Sequence, residues 1–273
     1  MPQLTTVGGT TLHYEEVGAG VPVVLVHGWA MSGRVWAFQR ELGAACRLIM
    51  LDLRGHGASS APAAGYAFAD FAADIVALFD HLELRRAVLL GWSLGAQSVL
   101  EVERTLRDRL AGLVLVGGTP RFAAGNAWPH GLPASEVRGL ALRLRRNYEA
   151  TLGEFFQRMF VAGELSPADN QRLVREIVMN RRHPDPAAVA AALTTLAAGD
   201  QRPLLAGVSC PALVLHGDRD PICLPGAGRA LAEGLPAGRL VMFPGLGHAP
   251  FLSRPELFNR QLGDFIREVA ADD

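Results

Sequence analysis

Ser93 lies in Leu89-Leu90-Gly91-Trp92-Ser93-Leu94-Gly95-Ala96, a Gly-x-Ser-x-Gly pentapeptide after an apolar run and before a helical pattern. A serine becomes a nucleophile when a tight turn exposes its hydroxyl and a base takes the proton. Such a turn needs neighbours without bulk, which the two glycines supply. The N-terminus of the following helix points partial positive charge at a developing oxyanion. An acid and a base follow in chain order. Leu215-His216-Gly217-Asp218-Arg219-Asp220-Pro221 offers two carboxylates. Asp220 is the better placed, deeper in the loop and ahead of Pro221, which favours an extended turn. Asp218 competes for the role and is expected to stabilise its loop through local backbone hydrogen bonds. His248, in Pro244-Gly245-Leu246-Gly247-His248-Ala249-Pro250-Phe251, has the right chain order, a loop after a strand, and small neighbours. It is the candidate base, with the acid fixing its tautomer. His13, His81, His130 and His183 lack that context and read as surface or core filler. The chemistry these residues fit is acyl transfer to water.

Positioning them requires a sheet. Val21 to Val26, Arg47 to Asp52, Ala87 to Leu90 and Gly112 to Val116 are apolar runs of the kind buried on both faces. Leu12 to Val17 alternates apolar and polar, as an edge strand does. Helical patterns lie between them, at roughly 34–43, 67–82 and 94–107. This alternation predicts a mostly parallel sheet covered by helices on both faces. The strand pattern returns at Ala212 to His216 and Arg239 to Phe243, and a closing helix spans about 255–270. Residues 121–200 differ. Leu140, Leu144, Tyr148, Leu152 and Phe155 recur every three or four residues, and Pro133, Pro167, Pro184 and Pro186 punctuate the segment. The expected division is a core of 1–120 and 201–273 with an inserted all-helical cap over 121–200.

Val26-His27-Gly28-Trp29-Ala30 follows the first buried strand. An oxyanion needs one N–H from the residue after the nucleophile and one from this loop, which assigns Leu94 and Trp29. Together these motifs resemble the α/β-hydrolase fold family, as does Asp52-Leu53-Arg54-Gly55-His56-Gly57-Ala58-Ser59, where His56 reads as structural. A serine at position 93 excludes that family's aspartate-nucleophile variants. A closer resemblance is carried by His27-Gly28-Trp29-Ala30-Met31, Val35-Trp36, Gly91-Trp92-Ser93-Leu94-Gly95, Thr119-Pro120-Arg121-Phe122, Ala127-Trp128-Pro129 and His248-Ala249-Pro250-Phe251. These look like the pimeloyl-carrier-protein methyl ester esterases of biotin synthesis, the BioH family. That resemblance implies hydrolysis of a methyl ester on a pimeloyl chain carried by acyl carrier protein, with no metal or cofactor. It implies Ser93 as nucleophile, Asp220 as acid, His248 as base, and Trp29 and Leu94 as oxyanion hole. Phe155, placed in the first cap helix, matches an acyl-channel residue and joins Trp29 and Leu94 in binding substrate. The core motifs are shared by short-chain carboxylesterases, lactonases and carbon–carbon bond hydrolases; a receptor that kept the fold and lost turnover is the remote alternative, against which the intact triad and oxyanion loop argue.

Charge bears on partners. Basic residues number 26, all of them arginine, against 27 acids, a net charge of −1. That balance argues against nucleic acid, and the absence of lysine removes Walker-type phosphate loops and Schiff-base chemistry. Residues 121–182 nevertheless carry +4 and the remainder −5. A basic cap can steer an acidic carrier protein, with Arg138, Arg143, Arg145, Arg146, Arg158 and Arg172 as the candidate dock. Arginines on exposed helices also serve solubility through intrahelical ion pairs. Ala150 and Glu154 stand where a basic face would help. Three cysteines without metal or redox spacing, no signal-like N-terminus and no apolar run of ~18 residues lead to an expected cytoplasmic, non-membrane protein; a monomer is expected as well.

Overall fold

A computed structural model describes residues 2–125, 127–179 and 183–271. Eight strands form one sheet: β1 Gln3–Thr5, β2 Thr11–Val17, β3 Pro22–Val26, β4 Arg47–Leu51, β5 Ala87–Trp92, β6 Leu110–Val116, β7 Ala212–Gly217 and β8 Gly238–Phe243. Their spatial order is β1-β2-β4-β3-β5-β6-β7-β8. From β4 across to β8 every pairing is parallel, and β1 and β2 join antiparallel. The apolar runs are therefore the central strands. β5, β6 and β7 are buried along their whole length, as covering both faces of a parallel sheet requires.

Residues 12–17 are not the edge. β1 pairs outside them, and its three residues, exposed Gln3, buried Leu4 and exposed Thr5, alternate over too short a run to stand out in the sequence. Residues 34–43 are not α-helix either. Gly33–Ala44 is tighter 3-10 structure broken at Trp36, whose φ of −86° and ψ of 17° leave the helical region. That break sets the Trp36 ring 4.6 Å from Phe251 and 6.4 Å from Trp92, where all three indole and phenyl rings are buried.

The helices are α1 Phe68–His81, α2 Leu94–Leu106, α3 Ala134–Arg146, α4 Tyr148–Arg158, α5 Pro167–Leu173, α6 Pro186–Ala198, α7 Pro225–Gly234, α8 Pro250–Ser253 and α9 Pro255–Ala271. α1 buries Phe68, Phe71, Ile75, Leu78 and Phe79 at helical spacing and packs on α2. α7 packs on β7 and β8, while α8 and α9 pack with Gly33–Ala44. α3 to α6 lie between β6 and β7 in sequence, yet β6 and β7 pair directly, Leu113 opposite Ala212. The chain leaves and returns at one place, for Gln201 N donates to the Pro120 carbonyl at 2.7 Å. Arg121 faces Asp200 across the same junction at 3.3 Å.

The apolar stripe from Leu140 to Phe155 does not belong to one helix. Asn147, with φ −151° and ψ 89°, ends α3, and its side chain accepts from Ala150 N to cap α4. Phe155 thus stands in the second helix of the segment rather than the first.

Candidate active site

Ser93 stands between β5 and α2 with φ 56° and ψ −112°, a conformation that costs a non-glycine residue about 1–3 kcal/mol. The flanking glycines are obligatory. A Cβ on Gly91 would lie 2.3 Å from Gly95 O, and one on Gly95 would lie 2.4 Å from Val26 O. The turn is pinned to the next strand, where Ser93 N donates to Val116 O at 3.0 Å.

Asp220 and His248 meet in the loops after β7 and β8. Asp220 Oδ1 accepts from Ile222 N at 2.8 Å and Cys223 N at 2.9 Å, and Oδ2 accepts from His248 Nδ1 at 2.7 Å. Both residues are almost wholly buried. With its proton on Nδ1, the His248 ring presents Nε2 as a lone pair. The pair is tied to the serine elbow through the indole next to Ser93. Trp92 Nε1 donates to the His248 carbonyl at 3.0 Å. Asp218 acts differently from expectation. It reaches across to the neighbouring loop and accepts from Gly245 N at 2.6 Å, bracing the strand of residues that carries His248.

The turn bearing Trp29 is held by two neutral histidines. His27 Nδ1 donates to Gly28 O at 2.8 Å and its Nε2 accepts from Leu53 N at 3.0 Å. His56 Nδ1 donates to Arg54 O at 2.9 Å and its Nε2 accepts from Ala30 N at 3.3 Å. Burial holds the His27 pKa below its ordinary value, and burial together with the neighbouring His27 pulls that of His56 down to about 3. His56 is structural, as its sequence context indicates. The Trp29 indole donates to Val189 O of α6 at 2.8 Å. Leu94 opens α2, so its N–H has no carbonyl one turn back within the helix.

Phe155 meets the edge of the Trp29 ring with centroids 4.8 Å apart. It lines a cavity of about 220 Å3 together with Phe122, Leu132, Val137, Leu140 and Ile222, the last being two residues from Asp220. Arg143, Arg158, Glu136 and Glu154 also line it. Arg158 is not a free cation: it pairs with Glu136 and donates to Pro221 O at 3.1 Å. Arg138, Arg145 and Arg146 are exposed along α3. Arg172 is not brought to this cavity, because its guanidinium lies 4.2 Å over the Phe38 ring. Arg181 and Arg182 lie outside the described residues.

Three residues at the site escaped the sequence reading. Cys223 is a buried thiol whose pKa burial, with the Asp220 charge, pushes well up. His216 is fully buried, donates from Nε2 to Cys223 O at 2.7 Å, and approaches Asp220 Oδ2 at 3.5 Å. Burial also lowers its pKa, so it sits neutral beneath the acid. Glu164 is a buried carboxylate that accepts from Gly247 N at 2.9 Å. His216 lies four residues before Asp220, but only the strand-to-loop turn makes that spacing a contact. Nothing local marks Cys223 or Glu164.

Among the described residues no group of acids, histidines and cysteines could hold a metal ion, and no helix is long and apolar enough to cross a membrane. Residues 23–261 match the alpha/beta hydrolase family. The pimeloyl-[acyl-carrier protein] methyl ester esterase of Nitrosomonas europaea is 37% identical over 249 residues, which cover 91% of this chain and 96% of that one. The protein of the same name from Chromobacterium violaceum is 36% identical over 260 residues, covering 95% and 99%. An esterase from Exiguobacterium antarcticum superposes with a TM-score of 0.90 at 27% identity, covering 97% of this chain and 98% of that one. The chain belongs to the alpha/beta hydrolase family and, within it, to the group of pimeloyl-[acyl-carrier protein] methyl ester esterases.

Proposed function

We propose that this carboxylic ester hydrolase cleaves the methyl ester of a pimeloyl chain borne by acyl carrier protein, with Ser93 as nucleophile. The observation that carries the chemistry is the 2.7 Å Asp220–His248 hydrogen bond beside the serine elbow, which leaves His248 Nε2 free to accept a proton. His248 takes the Ser93 proton as Oγ attacks the ester carbonyl carbon. The N–H groups of Trp29 and Leu94 hold the resulting oxyanion, each worth ~3 kcal/mol in the transition state. The His248 imidazolium then protonates the departing methanol. Water, deprotonated by the same ring, attacks the acyl-enzyme and releases the acid and Ser93.

The substrate assignment draws on the named relatives and on the cavity. Phe122, Leu132, Leu140, Phe155 and Ile222 offer an apolar wall for an acyl chain. In this reading residues 121–200 are a lid on the core, and the exposed Arg138, Arg145 and Arg146 face an acidic carrier. Cys46, Cys210 and Cys223 are free buried thiols, which fits a reducing cytoplasm.

The test compares a pimeloyl methyl ester on acyl carrier protein with the same ester as a free small molecule, using Ser93→Ala as blank. Preference for the carrier-bound form that fades with added salt is the expected result. Equal or better turnover of the free ester, indifferent to salt, would replace the carrier reading with a small-molecule carboxylesterase.

A further inference from the structure

The two peptide N–H groups at the candidate base both point away from the core. His248 N donates to the Met159 carbonyl at 2.7 Å, and Gly247 N donates to Glu164 Oε2 at 2.9 Å. The same Oε2 accepts from Val161 N at 2.8 Å, which closes the turn that Glu164 N makes to Val161 O at 3.0 Å. Glu164 is only 4% exposed, and its Oε1 is buried with no hydrogen-bond partner among the described residues. A carboxylate so placed is costly unless its contacts matter. The contact is backbone against backbone, because a Cβ on Gly247 would lie 2.3 Å from Met159 O.

The loop carrying His248 contains Gly245, at φ 74°, and Gly247, so it has little stiffness of its own. From the core it is held at the His248 carbonyl by Trp92, at the His248 ring by Asp220, at Gly245 by Asp218 and at Leu246 O by Arg219 N. From the opposite side, the turn from Met159 to Glu164 holds the peptide N–H groups of Gly247 and His248. A general base must be fixed to about 0.5 Å for efficient transfer.

We propose that Glu164 is a positioning residue for ester hydrolysis, holding His248 in line with Ser93 through the peptide N–H of Gly247. The proposal rests on the Ser93–His248–Asp220 reading, so its test carries a readout independent of turnover. Glu164→Ala, Glu164→Asp and Glu164→Gln are compared with the parent by kcat per site titrated with a fluorophosphonate, by KM, and by proton NMR. The resonance followed is the downfield His248 Nδ1–H, identified by its loss in His248→Ala. Alanine, and aspartate if alanine does not fold, lower kcat per titrated site about tenfold. KM stays within about twofold, and the resonance broadens. Glutamine, which keeps an acceptor oxygen, recovers kcat to within about threefold of the parent. Parent kcat and a sharp resonance in the alanine or aspartate variant, even with a lowered melting temperature, would reduce Glu164 to a stabilising contact and overturn the proposal. Failure of glutamine to recover would overturn it too. If the parent shows no Ser93-dependent turnover, the triad reading fails separately, and the resonance alone decides the clamp.

Discussion

Replacing Asp220 by asparagine isolates the control of the His248 tautomer, because the surroundings dictate which way the amide must face. Oδ1 holds two backbone N–H groups, at 2.8 and 2.9 Å. An amide turned to face them with its NH2 would leave both donors unpaired, at about 1–3 kcal/mol each. The carbonyl oxygen therefore stays on Ile222 and Cys223, and the NH2 takes the place of Oδ2 opposite His248 Nδ1. A donor now meets the nitrogen that carried the proton, and the ring shifts that proton to Nε2. The nitrogen that accepts from Ser93 in the proposed mechanism is then blocked. Where this tautomer exchange occurs in a serine hydrolase, kcat falls about 10^4-fold. At ~1.36 kcal/mol per decade that is about 5.4 kcal/mol of transition-state stabilisation. Hydrolysis of a p-nitrophenyl ester, normalised to titrated sites, measures the loss, and circular dichroism verifies the fold. Asp220→Ala, which strips both backbone donors of their acceptor, should lose thermal stability as well. Asp218→Ala removes one brace on Gly245 and should cost less than about tenfold, since loop support is shared. Asp220→Asn within a hundredfold of the parent, with fold intact, would refute the argument and return Asp218 as the acid.

Acid should unfold the protein early. His27, His56 and His216 are neutral in the fold with pKa values held below the ordinary value, that of His56 at about 3. The unfolded chain protonates them near pH 6.5 and the native chain does not, so stability is unaffected above that pH and falls from there toward pH 3. The slope approaches ~1.4 kcal/mol per pH unit for each residue. Urea midpoints measured from pH 8 to pH 4 test this, and a flat profile would contradict it. Phe155→Ala removes the ring against Trp29 and should raise KM severalfold for hexanoyl and longer esters while sparing acetyl esters. A uniform loss across chain lengths would mean that Phe155 supports the Trp29 turn instead of the acyl wall.

Much of this arrangement was legible in the sequence because its signals are local. Gly91 and Gly95 flank Ser93 for a steric reason that any chain making this turn must obey, and the central strands announce themselves by burial on both faces. Asp220 and His248 were legible through order and loop context. What stayed hidden depends on distant partners. The Asn147 break falls inside an apolar stripe that continues in phase, so Phe155 was assigned to the wrong helix. Asp218 bonds a residue of the neighbouring loop. Arg158 and Arg172 looked like free surface charge but are engaged, one by Glu136 and Pro221, the other by the Phe38 ring. Glu164 gains its meaning from Gly247, far along the chain.

The hydrogen bond between Pro120 and Gln201 has an evolutionary corollary. A segment whose two ends already touch is, to the rest of the molecule, a closed loop. Doubling the length of such a loop costs only ~0.6 kcal/mol of closure entropy. The pairing of β6 with β7 is made on the far side of that junction and does not register what lies between. On the proposed reading of residues 121–200 as a lid, the segment can accordingly change in length while the pairing of β6 with β7 is kept. On that reading, a change of acyl group can be accommodated within one segment. Any replacement must nevertheless bring its own acceptors for Gly247 and His248, which Met159 and Glu164 now supply, and for the Trp29 indole, which Val189 O now supplies.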